Sequence, residues 1–285
     1  WPGLIALGAQ PWSVLYPPAP PLPLVLAALA AALAAILLPS APLRVAAGVL
    51  LASLLLRAPA VPAHGDFELT LLDVGQGLAA AVRTERHLLL YDTGPGWRGG
   101  GSAARHSLLP WLRASGARRV DTLVVSHADL DHAGGLAALR AALPVGRLLA
   151  GDGIEDATRC LAGEAWSWDG VRFEVIHPAA GQGWSRNDGS CSLRVSAPGG
   201  SALLLADTEA RAERAMLGLP LAADVVLVPH HGSRSSSSEA FVARVAPRVA
   251  LVPNGFGNRF GHPRPEVSER WRAAGALLLT TAGSG

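Results

Sequence analysis

One short segment limits what this chain can fold into more than any other. Residues 127–132 read His-Ala-Asp-Leu-Asp-His and follow the apolar run 120–125 almost at once, with only Ser126 between. A short apolar run bounded by polar residues reads as a buried strand. Where the chain leaves that strand, His127, Asp129 and Asp131 project to one side at a two-residue period. The turn into a helix expected from Leu136 brings His132 alongside. Four imidazole and carboxylate groups at one strand end, left unpaired, place polar atoms where burial is costly. A metal ion resolves that crowding; a structural ion-pair cluster is the alternative.

Other strand ends carry matching groups. Asp207 follows the apolar run Leu203-Leu204-Leu205-Ala206, and His230-His231 follow residues 225–229. Both lie where a chain leaves a sheet, a usual place for a site. A carboxylate has about four lone-pair positions, so Asp207 can bridge two ions. Against these stand two plainer readings, a helix N-cap for Asp207 and a surface turn for the histidine pair. Alternation and β-propensity place strands at 67–74, 78–83, 87–91, 120–125, 147–150, 164–168, 171–176, 192–196, 202–206, 225–228 and 249–252. Helices are expected at 105–115, 136–142, 209–217, 238–245 and 266–274. Strand runs alternating with helices in two blocks indicate two sheets packed face to face with helices outside, a four-layer α/β sandwich.

Charge divides the chain. Residues 1–43 carry no Asp, Glu, Lys, Arg or His, and Arg44 and Arg57 are the only charges before residue 64. The whole chain holds 24 basic and 22 acidic side chains, every basic one an Arg. The body is therefore near neutral, which excludes a strongly basic nucleic-acid module, and too apolar for intrinsic disorder. The all-Arg usage reads as base composition rather than as a phosphate signal. Residues 24–38 and 43–56 form two apolar stretches, and a membrane span needs about 17–25 residues. With Leu22 and Pro23 added, the first reaches the lower limit; the second is short, with Arg44 and Arg57 placed to snorkel. The Pro- and Trp-rich residues 1–21 read as a helix end and interfacial loop. No basic residue precedes the apolar run, so a signal peptide fits less well. The expectation is one or two transmembrane helices and a linker over 1–63 and a folded body over 64–285. The chain lacks an initiator Met and both ends read as cut, the body ending short at its C-terminus.

The set Asp73-Val74-Gly75-Gln76-Gly77, His127-Ala128-Asp129-Leu130-Asp131-His132, Asp207 and His230-His231-Gly232-Ser233, in that order, resembles the metallo-β-lactamase superfamily. Asn187-Asp188-x-Ser190 and Asn258-Arg259-Phe260-Gly261-His262-Pro263 extend the resemblance to the C-terminal domain of the ComEC family of competence proteins, the inner-membrane DNA-uptake channels of transformable bacteria. The fold this implies is a four-layer αββα metallo-β-lactamase-like sandwich preceded by transmembrane helices. The resemblance implies metal one at His127, Asp129 and Asp207, and metal two at Asp131, His132, Asp207 and His230. Asp73 is implied as a carboxylate that orients ligands, Asp131 as the group that orients water, and His231 and His262 as substrate-facing. Asn187, Ser190, Ser233 and Arg259 are implied to bind substrate, with Arg234 and Arg264 in the same loops.

Two departures stand out. The superfamily usually has His at the positions of Asp129 and Asn187, and the nearby His177 reads as structural. An oxygen-rich set suits Mn or Mg better than a three-His pocket does, so two divalent ions are expected, Mn²⁺ in at least one position and Zn²⁺ as the alternative. The implied reaction is phosphodiester hydrolysis of DNA by a water that two metals activate, removing the strand that is not imported. The implied partners are DNA, the membrane, the rest of the channel and competence DNA receptor proteins, with the hydrolase on the periplasmic side of the inner membrane. In that oxidising setting Cys160 and Cys191 are expected to form a disulfide around a loop of about 30 residues, worth roughly 3–4 kcal/mol in the chain-entropy model. Two buried thiols are the alternative. Trp97 and Trp184, in Gly-rich loops, are candidates to stack on bases. Two further readings of the whole are a hydrolase of another phosphoester and a non-catalytic DNA-binding or gating domain.

Overall fold

The computed structural model describes residues 22–37, 40–55, 60–97, 99–184 and 186–283. The expectations for residues 1–21 and for 57–59 of the linker at 57–62 therefore lie outside the described residues. Contacts divide the chain into two units, one comprising residues 1–60 with 111–118 and the other residues 61–110 with 119–285.

In the first unit, helices α1 (Leu22–Leu37) and α2 (Ala41–Leu55) pack on each other. The small residues Ala28 and Ala47 are buried, whereas Leu22, Leu26, Leu29, Leu33 and Val45 are exposed. At 16 and 15 residues, neither is long and apolar enough to cross a membrane, nor is any other helix among the described residues.

The second unit is built on two sheets. The first runs β1 (Glu68–Leu71), β2 (Ala80–Arg83), β3 (Leu88–Tyr91), β4 (Val120–Val125), β5 (Val145–Ala150), β6 (Thr158–Arg159) in spatial order. The second, in chain order, comprises β7 (Ala165–Trp168), β8 (Val171–His177), β9 (Ser192–Ala197), β10 (Gly200–Leu204), β11 (Val225–Leu227), β12 (Val249–Val252) and β13 (Leu277–Thr280). Strands β3 to β6 pair in parallel, as do β10 to β13; the remaining pairs are antiparallel. Burial on both faces explains why β4 ends in the unbroken apolar run Leu123-Val124-Val125, whereas β8 alternates.

Period-two alternation separates two cores. Ala202, Leu204 and Ala206 point between the sheets with Leu89, Val124, Phe173 and Leu193, while Leu203 and Leu205 point outward. The outward set packs under α6 (Ala210–Met216), α7 (Glu239–Val245) and α8 (Pro265–Ala273), through Met216, Phe241 and Trp271. Between β3 and β4 the chain passes through a π-helical turn (Ala104–Leu108) and α3 (Leu109–Ala114), most of which belongs to the first unit. Between β4 and β5 it passes through α4 (Leu130–Ala133) and α5 (Leu136–Ala142). Parallel strands demand such crossovers. The result is the sandwich expected from the residue pattern. It adds β6 and β13, which that pattern did not suggest, and shortens β1 at both ends.

Candidate metal centre

The parallel strands all release their chains toward one region. Asp92 follows β3, His127 follows β4 by one residue, Asp207 follows β10, and His230 and His231 follow β11. This is the crevice at the carboxyl ends of parallel strands where α/β ligands bind. The corners there are tight. Asp92, Ala206, His230 and His231 all have positive φ, a conformation that costs non-glycine residues of order 1–3 kcal/mol and persists where surrounding structure enforces it. His230 N donates to Ala206 O, tying the end of β11 to that of β10. The 131–132 backbone is pinned as well: Leu78 N donates to Asp131 O, and Thr93 N and Oγ1 donate to His132 O. A Cβ on Gly77 would lie 2.4 Å from Asp131 O, so this approach requires glycine.

Asp131, His132, Asp207 and His231 place one ligand atom each within 4.8 Å of one another. His132 Nε2 lies 3.1 Å and His231 Nε2 3.4 Å from Asp207 Oδ1, and His231 Nε2 is 3.4 Å from Asp131 Oδ2. His132, His231 and Asp207 are buried. His132 Nε2, His231 Nε2, His127 Nε2 and Asp207 Oδ1 are all buried without a hydrogen-bond partner. The opposite ring nitrogens are anchored: His132 Nδ1 donates to Asp92 Oδ2 (2.7 Å) and His231 Nδ1 donates to Pro253 O (2.7 Å). In the neutral rings, anchoring Nδ1 as donor leaves the Nε2 lone pair aimed at carboxylates, a clash that a proton or a metal cation between them removes. The fully buried Asp92 also accepts from Ser126 N and Ser126 Oγ, and Ser126 Oγ lies 2.9 Å from His127 Nδ1. One carboxylate thus orients two candidate ligands, the usual arrangement behind metal-bound imidazole.

The electrostatics agree with a site shaped for positive charge. Burial disfavours a charged His132, yet Asp207 and Asp92 outweigh it and hold the imidazole well above its ordinary range. His231 is raised in the same way, against burial, by Asp207 and Asp131. Burial opposes ionisation of Asp207, but His132 and His231 hold it well below the usual carboxylate range. His127 is lowered by burial and by His132.

Several expected residues take other places. Asp73 is exposed and accepts from Gly75 N, capping its own turn; the orienting carboxylate is Asp92, at the strand-end signal Tyr91-Asp92-Thr93-Gly94. The histidine pair is exchanged relative to the expectation. Consecutive left-handed residues turn His231 inward, whereas His230 Nδ1 faces Ser235 Oγ (3.0 Å) and Glu209 Oε1 (3.2 Å). His230 Nε2 remains 3.6 Å from Asp207 Oδ2, at the rim of the cluster. Asp129 lies 3.7 Å from His127 Nε2 and pairs with Arg186 at 3.0 Å. Ser190 is fully buried, 3.4 Å from His127 Nδ1, so it backs a ligand and does not face substrate. Asn187 Nδ2 donates to Glu209 Oε1, and Ser233 Oγ meets Ser235 Oγ; both lie behind His230. Arg234 is paired with Glu266. His177 donates to Asp188 O and is structural, as read from sequence.

A cavity of about 500 Å³ adjoins the cluster and is lined by Gln76, Leu130, Asp131, Asn258, Arg259 and Phe260, among others. Burial, His231 and His230 lower His262 to about 4, so it is neutral near pH 7, and its Nδ1 is buried without a partner. Cys160 and Cys191 form a disulfide across 31 positions of sequence. Cys191 N donates to Ser126 O, next to His127.

The metallo-β-lactamase superfamily model matches residues 72–255, and the chain belongs to that superfamily. It is 39% identical over 272 residues to "Competence protein ComA" of Neisseria gonorrhoeae, a match covering 94% of this chain and 38% of that protein. It is 37% identical over 218 residues to "Recombination protein 2" of Haemophilus influenzae, covering 75% of this chain and 27% of that one. The chain thus spans well under half of these relatives. Among solved structures, CmlA, a diiron β-hydroxylase from Streptomyces venezuelae, aligns with a TM-score of 0.51 at 16% identity, over 75% of this chain and 52% of that one, which supports the shared fold. The chain is a superfamily hydrolase related to competence proteins, and its fold family implies divalent metals.

Proposed function

We propose that this chain is the metal-dependent deoxyribonuclease part of a membrane DNA-uptake channel, hydrolysing the strand that is not imported. The observation that carries this reading is the group of buried, unpartnered ligand atoms on His132, Asp207 and His231, opening through Asp131 into a groove. Asp131, His132, Asp207 and His231 would hold one ion; His127, Asp129 and Asp207 would hold a second, with Mn²⁺ favoured by the carboxylates. Bound there, divalent ions supply a nucleophilic water at neutral pH and neutralise phosphate charge.

The chain's own groups do the rest. The Asp131 side chain is partly open to the groove, and its carboxylate, lowered against burial by His231 and His132 and so kept ionised, accepts a hydrogen bond that aligns the attacking water. Neutral His262 donates a hydrogen bond toward the developing phosphate charge. Arg259, in the groove wall, attracts the phosphodiester. Asp92, through His132 and Ser126, holds the ligand rings still. The exposed leucines of α1 and α2 support a membrane setting, since apolar surface of that kind is stable against lipid or other helices. The relatives named for competence and recombination support DNA as substrate; the channel and DNA receptor proteins as partners, and the periplasmic side as location, belong to the same proposal. The test is a digest of end-labelled single- and double-stranded DNA by the metal-stripped chain with Mn²⁺, Zn²⁺ or Mg²⁺ restored. Metal-dependent cutting that Asp131→Ala lacks is the expected result; no cutting by folded, metal-loaded protein would contradict the proposal.

A further inference from the structure

The loop between β12 and α8 carries apolar rings that the fold does not use. Phe256 is 93% exposed and Phe260 44% exposed. Single exposed apolar residues are ordinary, but these two share one short loop whose wall lines the groove at Asp131. Phe260 is already built into a stack. His262 lies 5.7 Å away at 23°, and the Arg259 guanidinium is 4.8 Å from the ring centroid. Phe256 has no ring or cation partner among the described residues.

The loop is also held stiff. Asn258 Nδ2 donates to Gly255 O (3.0 Å) and His262 O (2.6 Å), and its Oδ1 accepts from His262 N (2.9 Å). Gly255 N donates to Gln76 Oε1, and a Cβ on Gly255 would lie 2.6 Å from Gln76 N. An exposed aromatic ring on a braced loop loses little freedom on binding a flat partner, and preorganisation of this kind strengthens association.

We propose that Phe256 and the open part of Phe260 form a stacking platform for unpaired bases, with Arg259 beside it for the backbone, so that the groove takes single-stranded nucleic acid in preference to duplex. A base within a duplex has both faces covered by its neighbours and cannot lie on such a ring without unstacking. Base–aromatic stacking tolerates any sequence, which suits an enzyme without sequence preference. The proposal rests on the nuclease reading for its substrate class, but its test is separable from it.

The experiment is fluorescence anisotropy of the full chain with a labelled oligothymidylate and with a labelled hairpin duplex, in Ca²⁺ so that binding is read without turnover. Phe256→Ala is expected to weaken single-strand binding by about fivefold or more and to leave hairpin binding unchanged, with Phe256→Trp restoring it. At 93% exposure the ring supports no packing, so the variant folds; equal metal content confirms this. Unchanged single-strand affinity in Phe256→Ala, or equal loss on strand and hairpin, would overturn the platform. Absence of cutting in Mn²⁺ with the binding difference intact would remove the nuclease reading and leave the platform standing.

Discussion

Two groups of candidate ligands meet in the crevice: an inner group of His132, Asp207 and His231, all buried, and an outer one that joins buried His127 to the partly exposed Asp129. In the inner group the ring nitrogens facing away from the cluster are both anchored, one by Asp92 and one by Pro253 O. In the outer group His127 is anchored, but Asp129 is partly exposed and pairs with the exposed Arg186. Its neighbour Asn187 turns toward Glu209, away from the cluster. The difference shows that a crevice built from repeated strand ends need not be uniform. One half has its geometry imposed by buried partners, and the other is adjustable at its carboxylate.

The largest effect is expected from Asp207→Ala, which removes the counter-charge shared by His132 and His231. Tight metal binding and DNA cutting should both fall by more than the roughly 100-fold bound for a supporting residue, read by metal analysis and digestion rate. Retention of a tight ion would break the distinction between the halves. Next, loss of the disulfide in Cys160→Ser with Cys191→Ser should cost about 3–4 kcal/mol of stability for a loop of this length, read by urea denaturation. Cutting by the folded fraction should change little, because the bond lies behind His127 and outside the inner group. Asp92→Asn should lower metal affinity about 10–100-fold, whereas Asp73→Asn should leave it within about twofold, read by competition with a chelating dye.

The smallest effect lies far from the crevice. Asp169 is desolvated, yet bonds from Thr84, His87 and Arg86 N lower its pKa to about 2. A folded-state value below the unfolded one stabilises above the unfolded pKa and is lost as pH falls toward the folded one. The stability difference between the protein and Asp169→Asn should therefore be full above about pH 4 and vanish near pH 2. A difference that grows with acid would contradict the sign.

How much was legible in sequence follows the same division. His127, Asp131 and His132 could be read because four ligand-type residues lie within six positions after a buried strand. Asp92 could not be told from Asp73, since each is a single Asp near a strand end close to Gly, and only the paired sheet shows which faces inward. The order of His230 and His231 depends on two consecutive left-handed residues, a backbone state that no local composition announces. Strand β13 was missed because Leu277-Leu278-Leu279-Thr280 is a short apolar run without alternation, which periodicity alone does not assign to a strand. The two sheets and their helices were legible because β-propensity, alternation and turn residues agree along most of the body.

The most direct test compares two neighbours. Metal content and Mn²⁺-dependent DNA cutting would be measured for the full chain, His231→Ala and His230→Ala after dialysis against trace metal. The account predicts that His231→Ala loses its tightly held ion and its cutting, while His230→Ala keeps the ion and loses activity only in part. A metal-loaded, active His231→Ala beside an empty, inactive His230→Ala would contradict it.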